Sequence, residues 1–346
     1  MAHTQSTIHQ HPTTGKPRLS HLFAPLQPWF KRLENLLGEQ AAQLAPSVAG
    51  HARYVTGNQG KRLRPALTIL GGLCIQDKPD ARQQEELIKL SAILEMIHIA
   101  TLVHDDILDG AHFRRNQLTA TAKWGPEVAV LLGDCLFAQA TLLGTGFSDA
   151  IIGKRIAEIT VQVCSGEIMQ IQHRFDLKLG EQNYLRIIEM KTGLLFAACC
   201  ELGGHLAGAT PENRQHLFSF GRLWGAAYQI YDDCVDLVGN EKDIGKSLGT
   251  DLQKGKLTLP VILLLQQLPP QEHQLASSML LNEHANSVGM LLDTIRRHGT
   301  IAQAASKADA LLDEARAHLH PFKSSQAAAI LNGLANHVSR ELQSLK

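Results

Sequence analysis

The sequence predicts an all-α protein, a single helical bundle around a central cavity. Helical periodicity persists after residue 20, whereas the alternation expected of strands is rare. Thirty consecutive residues, 80–109, contain neither proline nor glycine, which favours one long helix. Two Asp-rich clusters of identical spacing lie in such helical stretches. In bundles, sites of this kind are built between facing helices.

Prolines and glycines along the chain indicate where the predicted helices begin and end. Residues 1–20 are polar and read as a disordered tail, and residues 21–346 as one domain. A long helix follows Pro79 and ends at Asp109, before Gly110. Residues 127–210 lack proline and are divided by glycines into several helices.

The second half of the chain has the same character. Pro211 begins a helix that runs to about Gly239. Residues 240–257 are rich in glycine and charge, which predicts a long loop that could close over a site as a lid. Pro260 begins an apolar helix, and residues 270–346 continue as amphipathic helices.

Composition excludes several classes of protein. The 346 residues are 44% hydrophobic and carry a formal net charge of zero, so no nucleic-acid partner is indicated. Six cysteines without a CxxC pair argue against structural zinc and suggest free thiols in a reducing compartment. No uninterrupted apolar run reaches the ~18–20 residues of a membrane span. We therefore predict a cytoplasmic protein.

The N-terminus has some features of a targeting signal and lacks others. It lacks the apolar middle of a secretory signal, but it has no acidic residue before Glu34 and is rich in Ser and Thr, as organellar transit peptides are. Arginine is sparse, and Pro12 and Pro17 interrupt any amphipathic helix. A disordered tail is the favoured interpretation.

The two DDxxD clusters predict a magnesium site. Residues i and i+4 of a helix share a face, so the first and last Asp of each cluster point the same way. Such carboxylates repel one another unless a cation lies between them, and Mg²⁺ with its oxygen ligands commonly shares its shell with substrate phosphates. Apolar sequence before each cluster argues against two solvated acidic surfaces. The six carboxylates are Asp105, Asp106, Asp109, Asp232, Asp233 and Asp236.

Basic residues flank these clusters and fit phosphate binding. Singly, each would be an ordinary surface charge, but together they supply enough positive charge for two diphosphates. His98 lies two helical turns before Asp105 on the same face. The cations are Lys61, Arg62, Arg64, Arg114, Arg115, Lys191, Lys246 and Lys256. We expected Pro65 to limit helix formation after the 61–64 basic turn.

In these motifs the sequence resembles the trans-isoprenyl (polyprenyl) diphosphate synthases. The matching segments, in the order of that family, are GKRLRP (60–65), HDDILD with RR (104–115), GD (133–134), GE (166–167), KT (191–192), YQIYDDCVD (228–236) and KSLGTDLQKGKLTLP (246–260). The resemblance covers roughly residues 30–346. It implies the isoprenoid-synthase helical fold, a homodimer, and Mg²⁺-dependent condensation of isopentenyl diphosphate with an allylic diphosphate.

The resemblance also implies residue roles. The six Asp side chains would hold three Mg²⁺ ions on the allylic diphosphate. That diphosphate would also contact Arg114, Lys191, Thr192, Gln229, Lys246 and Lys256, and the isopentenyl diphosphate would contact Lys61, Arg64, His98 and Arg115. The sequence departs from the family pattern at Asn116, Leu118 and Tyr228, where Gly, Pro and Phe are usual. These departures concern loop geometry and remove no charged ligand.

Product length was argued from the helix that bears Asp105. One helical turn is about 5.4 Å, close to one isoprene unit, so a growing chain that runs down this helix should pass residues one and two turns below. Ala100 and Thr101 are small and would leave a tunnel open as far as Ile97. This predicts a medium-to-long product, roughly C30 or longer, released with at most transient membrane contact.

Several alternatives were weighed. A short-chain synthase that makes farnesyl or geranylgeranyl diphosphate would share every motif. A non-catalytic subunit of a hetero-oligomeric synthase would tend to lose metal ligands, and here all six carboxylates are present. A terpene cyclase would normally lack the second DDxxD and the GKRLRP turn. A plain metal-binding bundle would leave the basic residues unexplained.

Overall fold

The computed structural model describes residues 19–58, 60–238, 249–281 and 285–346, with the side chains of 285–288 left out. Lys246, the first half of the predicted 240–257 loop (240–248) and nearly all of the predicted tail therefore lie outside the described residues. The first helix begins at Leu19, two residues before the predicted domain boundary.

The described residues are almost entirely helical, as predicted. The first half contains α1 (Leu19–Leu22), α2 (Gln27–Gln43), α3 (Pro46–Thr56), α4 (Leu63–Ile75), α5 (Ala81–Leu108), α6 (Ala120–Trp124), α7 (Pro126–Gly144) and α8 (Ala150–Gln172). The second half contains α9 (Glu181–Ile188), α10 (Leu194–Leu206), α11 (Pro211–Val238), α12 (Thr250–Gln253), α13 (Leu259–Gln267), α14 (Pro270–Leu281), α15 (Ala285–Arg297), α16 (Thr300–Ala317) and α17 (Gln326–Gln343). Short 3₁₀ helices span Ala24–Leu26 and His320–Phe322, and a π-helical turn spans Glu189–Gly193.

The predicted long helix is α5. Its start is fixed by a capping box, in which the Asp80 side chain accepts from the Gln83 backbone and the Gln83 side chain accepts from the Asp80 backbone. Its end is fixed by Gly110, which adopts a left-handed φ of 58°. The first Asp cluster consequently occupies the last turn of α5, as the sequence indicated.

The central packing joins α4 and α10 at very close range. A Cβ at Gly203 would collide with the Thr68 carbonyl, and one at Gly71 with the Cys200 carbonyl. Glycine at both positions lets the two backbones touch. On the other side of α10 lies α11, whereas α5 packs against both α4 and α7. These helices bring the basic turn at the start of α4 opposite the Asp-bearing end of α11.

The expectation for Pro65 was wrong. Helix α4 begins at Leu63, so Pro65 lies in its first turn. The first N–H groups of a helix have no intrahelical partner, so a proline there forfeits no hydrogen bond. The basic turn therefore leads directly into a helix.

The short hairpin of β1 (Phe113–Arg114) and β2 (Gln117–Leu118) was not predicted. Its two turn residues, Arg115 and Asn116, have φ values of 52° and 61°. Such a turn suits the twist of a two-residue hairpin, and Asn tolerates the left-handed conformation. Asn116 can thus serve where the family usually has glycine.

Within the described residues, two helices are long and apolar enough, by length and composition, to cross a membrane. Over its most apolar window α5 is 72% buried inside the protein, whereas α7 is only 39% buried. One face of α7 packs on α5, and the other exposes Val128, Val130, Leu131 and Leu142. Helix α8 also exposes Ile151 and Val161, and its exposed Ile168 lines the cavity described below.

Candidate active site

A cavity of about 920 Å³ opens between α4, α5, α7, α8, α9, α10 and α11. Both Asp clusters reach it. Asp105 and Asp109 line it from α5, and Asp232 and Asp233 line it from α11. The two halves predicted from the sequence therefore face one space.

The remaining two carboxylates do not line the cavity. Asp106 is buried and forms an ion pair with Arg114, whose NH2 lies 2.8 Å from one carboxylate oxygen. Asp236 is 1% exposed, and its carboxylate accepts hydrogen bonds from the Thr250 hydroxyl (2.7 Å) and the Asp251 backbone N–H (3.1 Å). In this geometry both acids secure neighbouring segments. That these two also act as metal ligands stays a prediction.

Asp233 lines the cavity, but protein donors already engage it. The Tyr184 hydroxyl donates to one oxygen at 2.6 Å, and the Gln229 amide donates to the other at 2.8 Å. Gln229 in turn accepts a hydrogen bond from the Thr192 hydroxyl at 2.9 Å. Burial, with Asp251 nearby, raises the pKa of Asp233 to about 8. In this structure Gln229 therefore binds the Asp233 carboxylate, and Thr192 supports it by donating to Gln229.

Nearby cations balance the negative charge of the first Asp cluster. Lys191 forms ion pairs with Glu167 and, at 3.9 Å, with Asp105. Burial raises the pKa of Asp105 and Glu167 adds to this effect, while Lys191 opposes it. Lys191 lies in the π-helical turn Glu189–Gly193, a distortion often found at functional sites.

Asp109 is held by three cations. Lys256 lies 3.0 Å away, Lys254 3.5 Å and Arg174 3.4 Å. Burial alone would raise the pKa of Asp109, but Lys256 and Lys254 lower it below its usual value. Sequence reasoning identified Lys256 but missed Lys254 and Arg174, along with Tyr184. The KGK pattern could have indicated Lys254; no sequence signal pointed to Arg174 or Tyr184.

The acidic side of the cavity fits Mg²⁺ held jointly with a phosphate. Its inward-facing donors are hard carboxylate oxygens in a buried setting, where burial already works against the charged forms of Asp105 and Asp233. Among the residues that the structure describes, no three His, Cys, Asp or Glu side chains are close enough to hold one ion by themselves. Mg²⁺ commonly takes one or two carboxylates and completes its shell with water and substrate phosphate oxygens, which agrees with this arrangement.

A second set of cations lines another wall of the cavity, where Glu95, the one carboxylate nearby, is already paired with Arg62. The Lys61 ammonium lies 3.4 Å from the Tyr228 hydroxyl, and the Arg115 guanidinium donates to the Asn58 carbonyl at 2.9 Å. The Arg64 guanidinium stacks on Phe196, 4.4 Å from the ring centroid, and its buried Nε has no hydrogen-bond partner. Within the described part of the chain, none of these three cations forms an ion pair with a carboxylate.

The pKa shifts of the residues at this wall also indicate that it is suited to bind an anion. Burial lowers the pKa of Arg64, and burial with the nearby Arg64 and Arg115 lowers the pKa of His98 well below its usual value. His98 is therefore neutral at pH 7 and is available for hydrogen bonding. Buried positive charge of this kind is stable only when paired, so the wall is complementary to an anion such as a diphosphate.

Arg62 differs from its neighbours in the basic turn. It adopts a left-handed φ of 48° and turns inward, where it pairs with Glu34 at 2.8 Å and Glu95 at 2.7 Å. Lys61 and Arg64 are thereby directed to the cavity on either side of it. At Gly60 a Cβ would collide with the Arg115 guanidinium, so glycine lets this cation reach the same wall.

Of the three residues predicted to set product length, only one lines the cavity. Thr101 lines the cavity, but Ala100 is fully buried in an apolar cluster with Val103, and Ile97 is buried in the main core. Ala100 precedes Asp105 by five positions, which places it on the far side of the helix. The expectation that a chain passes Ala100 is therefore wrong in this structure.

Comparison with known proteins decides the family. A profile of the polyprenyl synthetase family matches residues 45–295. The chain belongs to this family. Octaprenyl diphosphate synthase of Escherichia coli is 31% identical over 286 residues, covering 82% of this chain and 86% of that protein. Heptaprenyl diphosphate synthase component 2 of Bacillus subtilis is 32% identical, over 81% of this chain and 79% of that protein.

The fold of this polyprenyl synthetase matches solved members of its family. The crystal structure of polyprenyl synthase from Caulobacter crescentus, complexed with calcium and isoprenyl diphosphate, superposes with a TM-score of 0.87 at 29% identity. The alignment covers 94% of this chain and 98% of that one. The predicted isoprenoid-synthase helical fold and prenyltransferase class are confirmed.

Proposed function

We propose that this polyprenyl synthetase condenses isopentenyl diphosphate with an allylic diphosphate, 1′-4 and trans, with Mg²⁺ as cofactor and release of diphosphate. The observation that carries the proposal is the division of one cavity into two walls. One wall interleaves carboxylates with lysines, as a metal-bound diphosphate requires. The other presents Lys61, Arg64 and Arg115, none of which forms an ion pair within the described residues, and its one carboxylate, Glu95, is paired with Arg62, as a second diphosphate without metal requires.

The residues act on both substrates. Mg²⁺, when held by Asp105, Asp109 and Asp232, supplies charge stabilisation for the departing diphosphate. Lys191 and Lys256, already beside these carboxylates, hold the same diphosphate where its negative charge increases. Arg114 lies between Asp106 and the cavity and keeps its guanidinium at this wall. Three ions per site is the family expectation that we extend to this chain.

Bond changes balance without an external reagent. The C1–O bond of the allylic substrate breaks, and its electron pair leaves with diphosphate. The double bond of isopentenyl diphosphate then forms the new carbon–carbon bond, and a proton passes from that unit to the departed diphosphate. Lys61, Arg64, His98 and Arg115 orient the isopentenyl diphosphate. Water has to be kept from the reacting centre, because it would trap the cation.

We propose a product of C30 or longer. Support comes from the octaprenyl and heptaprenyl synthases that resemble the chain over most of its length. A short-chain synthase remains the second candidate. It is favoured by a relative named as a short chain isoprenyl diphosphate synthase, 29% identical over 90% of this chain.

The test is an assay of purified protein with Mg²⁺, isopentenyl diphosphate and farnesyl diphosphate. We expect chain elongation that chelation of Mg²⁺ abolishes, and reversed-phase chromatography of the dephosphorylated products gives their length. Products of fewer than about six isoprene units would favour the short-chain alternative. Absence of any elongation by the purified protein would contradict the proposal that this chain catalyses the condensation by itself.

We propose a homodimer that buries the exposed apolar surface of α7 and α8. Leu131, Leu142 and Val161 are each more than 60% exposed, and such a surface is typical of an interface. A hetero-oligomer is the alternative, because the Bacillus subtilis relative is named as a component. Light scattering should give twice the 37.9 kDa chain mass, and Leu131→Asp should shift it to the monomer. A monomer in the unmodified protein would contradict the dimer.

We also propose that the enzyme is cytoplasmic, with residues 21–346 as one domain and only transient membrane contact. All six cysteines are free thiols, which suits a reducing compartment. Cys74, Cys199, Cys200 and Cys234 are buried, whereas Cys164 is exposed.

A further inference from the structure

Among the described residues, the cationic wall of the cavity contains one carboxylate, Glu95 of α5. Its side chain is 6% exposed and lines the cavity together with Lys61, Arg64 and Arg115. One of its oxygens, Oε1, lies 2.7 Å from the Arg62 guanidinium, whereas Oε2 is buried and has no hydrogen-bond partner in the described part of the chain. A carboxylate at this place competes with a diphosphate for the same cations, so its charge has to be balanced.

Arg62 supplies that balance. It adopts a left-handed φ of 48° immediately before α4, and each of its three guanidinium nitrogens donates a hydrogen bond. The acceptors are Glu95, both oxygens of Glu34 at 2.8 and 3.1 Å, and the Thr56 carbonyl at 3.0 Å. Burial works against its charge, but Glu95 and Glu34 together raise the pKa of Arg62 above its usual value. Arg62 therefore stays charged and fixed beside Glu95.

Glu95 interacts electrostatically with two further arginines of the wall but forms an ion pair with neither. Burial lowers the pKa of Arg64, and Glu95 is the strongest of the groups that oppose this change. Burial and Arg114 lower the pKa of Arg115, and Glu95 again opposes them. The buried Nε of Arg64 has no hydrogen-bond partner among the described residues. While Arg62 engages Glu95, both guanidinium groups stay available to an anion.

We propose that Arg62 is a positioning residue for isopentenyl diphosphate, which holds Glu95 so that Arg64 and Arg115 remain available to the diphosphate. The inference rests on the proposed condensation and concerns a residue to which the family resemblance assigned no role. Without the charge of Arg62, the Glu95 carboxylate repels an incoming diphosphate and attracts Arg64 and Arg115 in its place. The isopentenyl site then loses affinity, whereas the allylic site on the acidic wall keeps it.

The experiment measures calorimetric binding of isopentenyl diphosphate without Mg²⁺, together with the KM for both substrates and the thermal midpoint of each protein. Arg62→Met removes the charge. Arg62→Gln also removes it but keeps an amide donor for Glu95, and it serves if the methionine variant does not fold. The double variant Arg62→Met/Glu95→Gln removes both charges. Its comparison with the single variants separates charge balance from loss of structure.

Two control variants account for lost ion pairs and lost packing. Glu34→Gln breaks the other half of the Arg62 contact but leaves Arg62 paired with Glu95. Arg155→Met changes a remote site, because Arg155 is also a partly buried arginine, pairs with Glu201 of a neighbouring helix at 2.9 Å and does not line the cavity.

We expect Arg62→Met to weaken binding of isopentenyl diphosphate by about tenfold or more, with a parallel rise in its KM. The KM for the allylic substrate should change by less than about twofold, because its site lies on the other wall. The double variant should recover most of the lost affinity, because it contains no unpaired Glu95 carboxylate. Glu34→Gln should weaken binding by at most about twofold, and Arg155→Met should leave it unchanged.

Two results would overturn the role of Arg62. One is normal binding of isopentenyl diphosphate by the folded Arg62 variants. The other is weak binding that Glu95→Gln does not restore, which would mean that the basic turn has lost its shape rather than its charge balance. Failure of the unmodified enzyme to bind isopentenyl diphosphate without Mg²⁺ would contradict the proposed function of the two walls instead.

Discussion

At the scale of single residues, the structure gives the six aspartates different tasks. Asp105, Asp109 and Asp232 face the cavity, whereas Asp106 and Asp236 secure Arg114 and the segment after α11. The sequence could predict that carboxylates gather here, because i and i+4 spacing is a local property. It could not predict which of them find protein donors, because those donors lie in distant segments.

Asp105→Ala should lower kcat by about 10²-fold or more at saturating Mg²⁺, since it removes a buried carboxylate from the metal-binding wall. Steady-state kinetics with both substrates measures the effect. Asp293→Ala is the control, because Asp293 is 74% exposed on α15 and should leave kcat unchanged. Near-normal turnover of the Asp105 variant would contradict its place in the site.

Because of the environment of His98, we expect this residue to make the free energy of unfolding depend on pH. Burial and the nearby arginines lower its pKa in the folded state well below the ordinary value of 6.5, whereas the unfolded chain keeps that value. As pH falls through 6.5, the unfolded chain therefore takes up a proton at His98 that the folded protein does not. The stability that neutral His98 contributes is complete above this pH and is progressively lost below it.

Chemical denaturation at about pH 7.5 and pH 5.5, at fixed protein concentration, measures this effect. Between these values the free energy of unfolding of the unmodified protein should fall by about 1 kcal/mol more than that of His98→Asn. Equal losses in the two proteins would show that His98 does not carry the effect.

At the scale of elements, the helices that carry the acids were predictable from local signals. Pro79 and Gly110 delimit α5, and Pro211 begins α11. By contrast, local sequence signals did not predict the hairpin around Arg115 or the π-helical turn at Lys191. The π-helical turn lies where Thr192 bonds Gln229 on α11, a contact made only in the folded chain. Tertiary contacts of this kind leave no periodic pattern in the sequence.

The contact between α11 and α12 predicts a positioning role for Asp236. Its carboxylate accepts from Thr250 and Asp251, and its backbone carbonyl accepts from the Gly249 N–H at 2.7 Å. This segment leads to Lys254 and Lys256. Asp236→Ala should therefore increase amide hydrogen exchange over 249–253 by about tenfold, the equivalent of one good hydrogen bond.

Mass spectrometry of deuterium uptake measures that change, with the KM for the allylic substrate expected to rise in parallel. Thr250→Val, which removes one of the two side-chain bonds, should give a smaller increase of the same sign. Unaltered exchange in the Asp236 variant would mean that other contacts hold the segment.

At the scale of the whole molecule, the fold brings two kinds of anion-binding wall together. Helices α5 and α11 supply the acidic wall, and the start of α4 with the β1–β2 hairpin supplies the cationic one. The sequence predicted both groups of residues and a shared cavity. It did not locate the apolar lining of the cavity, because Ala100 faces the core while Phe137 of α7 and Val163 of α8, far along the chain, line it.

The most direct test of this account is calorimetric binding of unreactive diphosphates with and without Mg²⁺. Isopentenyl diphosphate alone should bind one site per chain in the absence of metal, and Arg64→Ala should weaken it. A thiolo analogue of the allylic diphosphate should bind a second site only when Mg²⁺ is present, and Asp105→Ala should abolish it. Metal-dependent binding of both ligands, or competition of both for one site, would contradict the two-wall cavity.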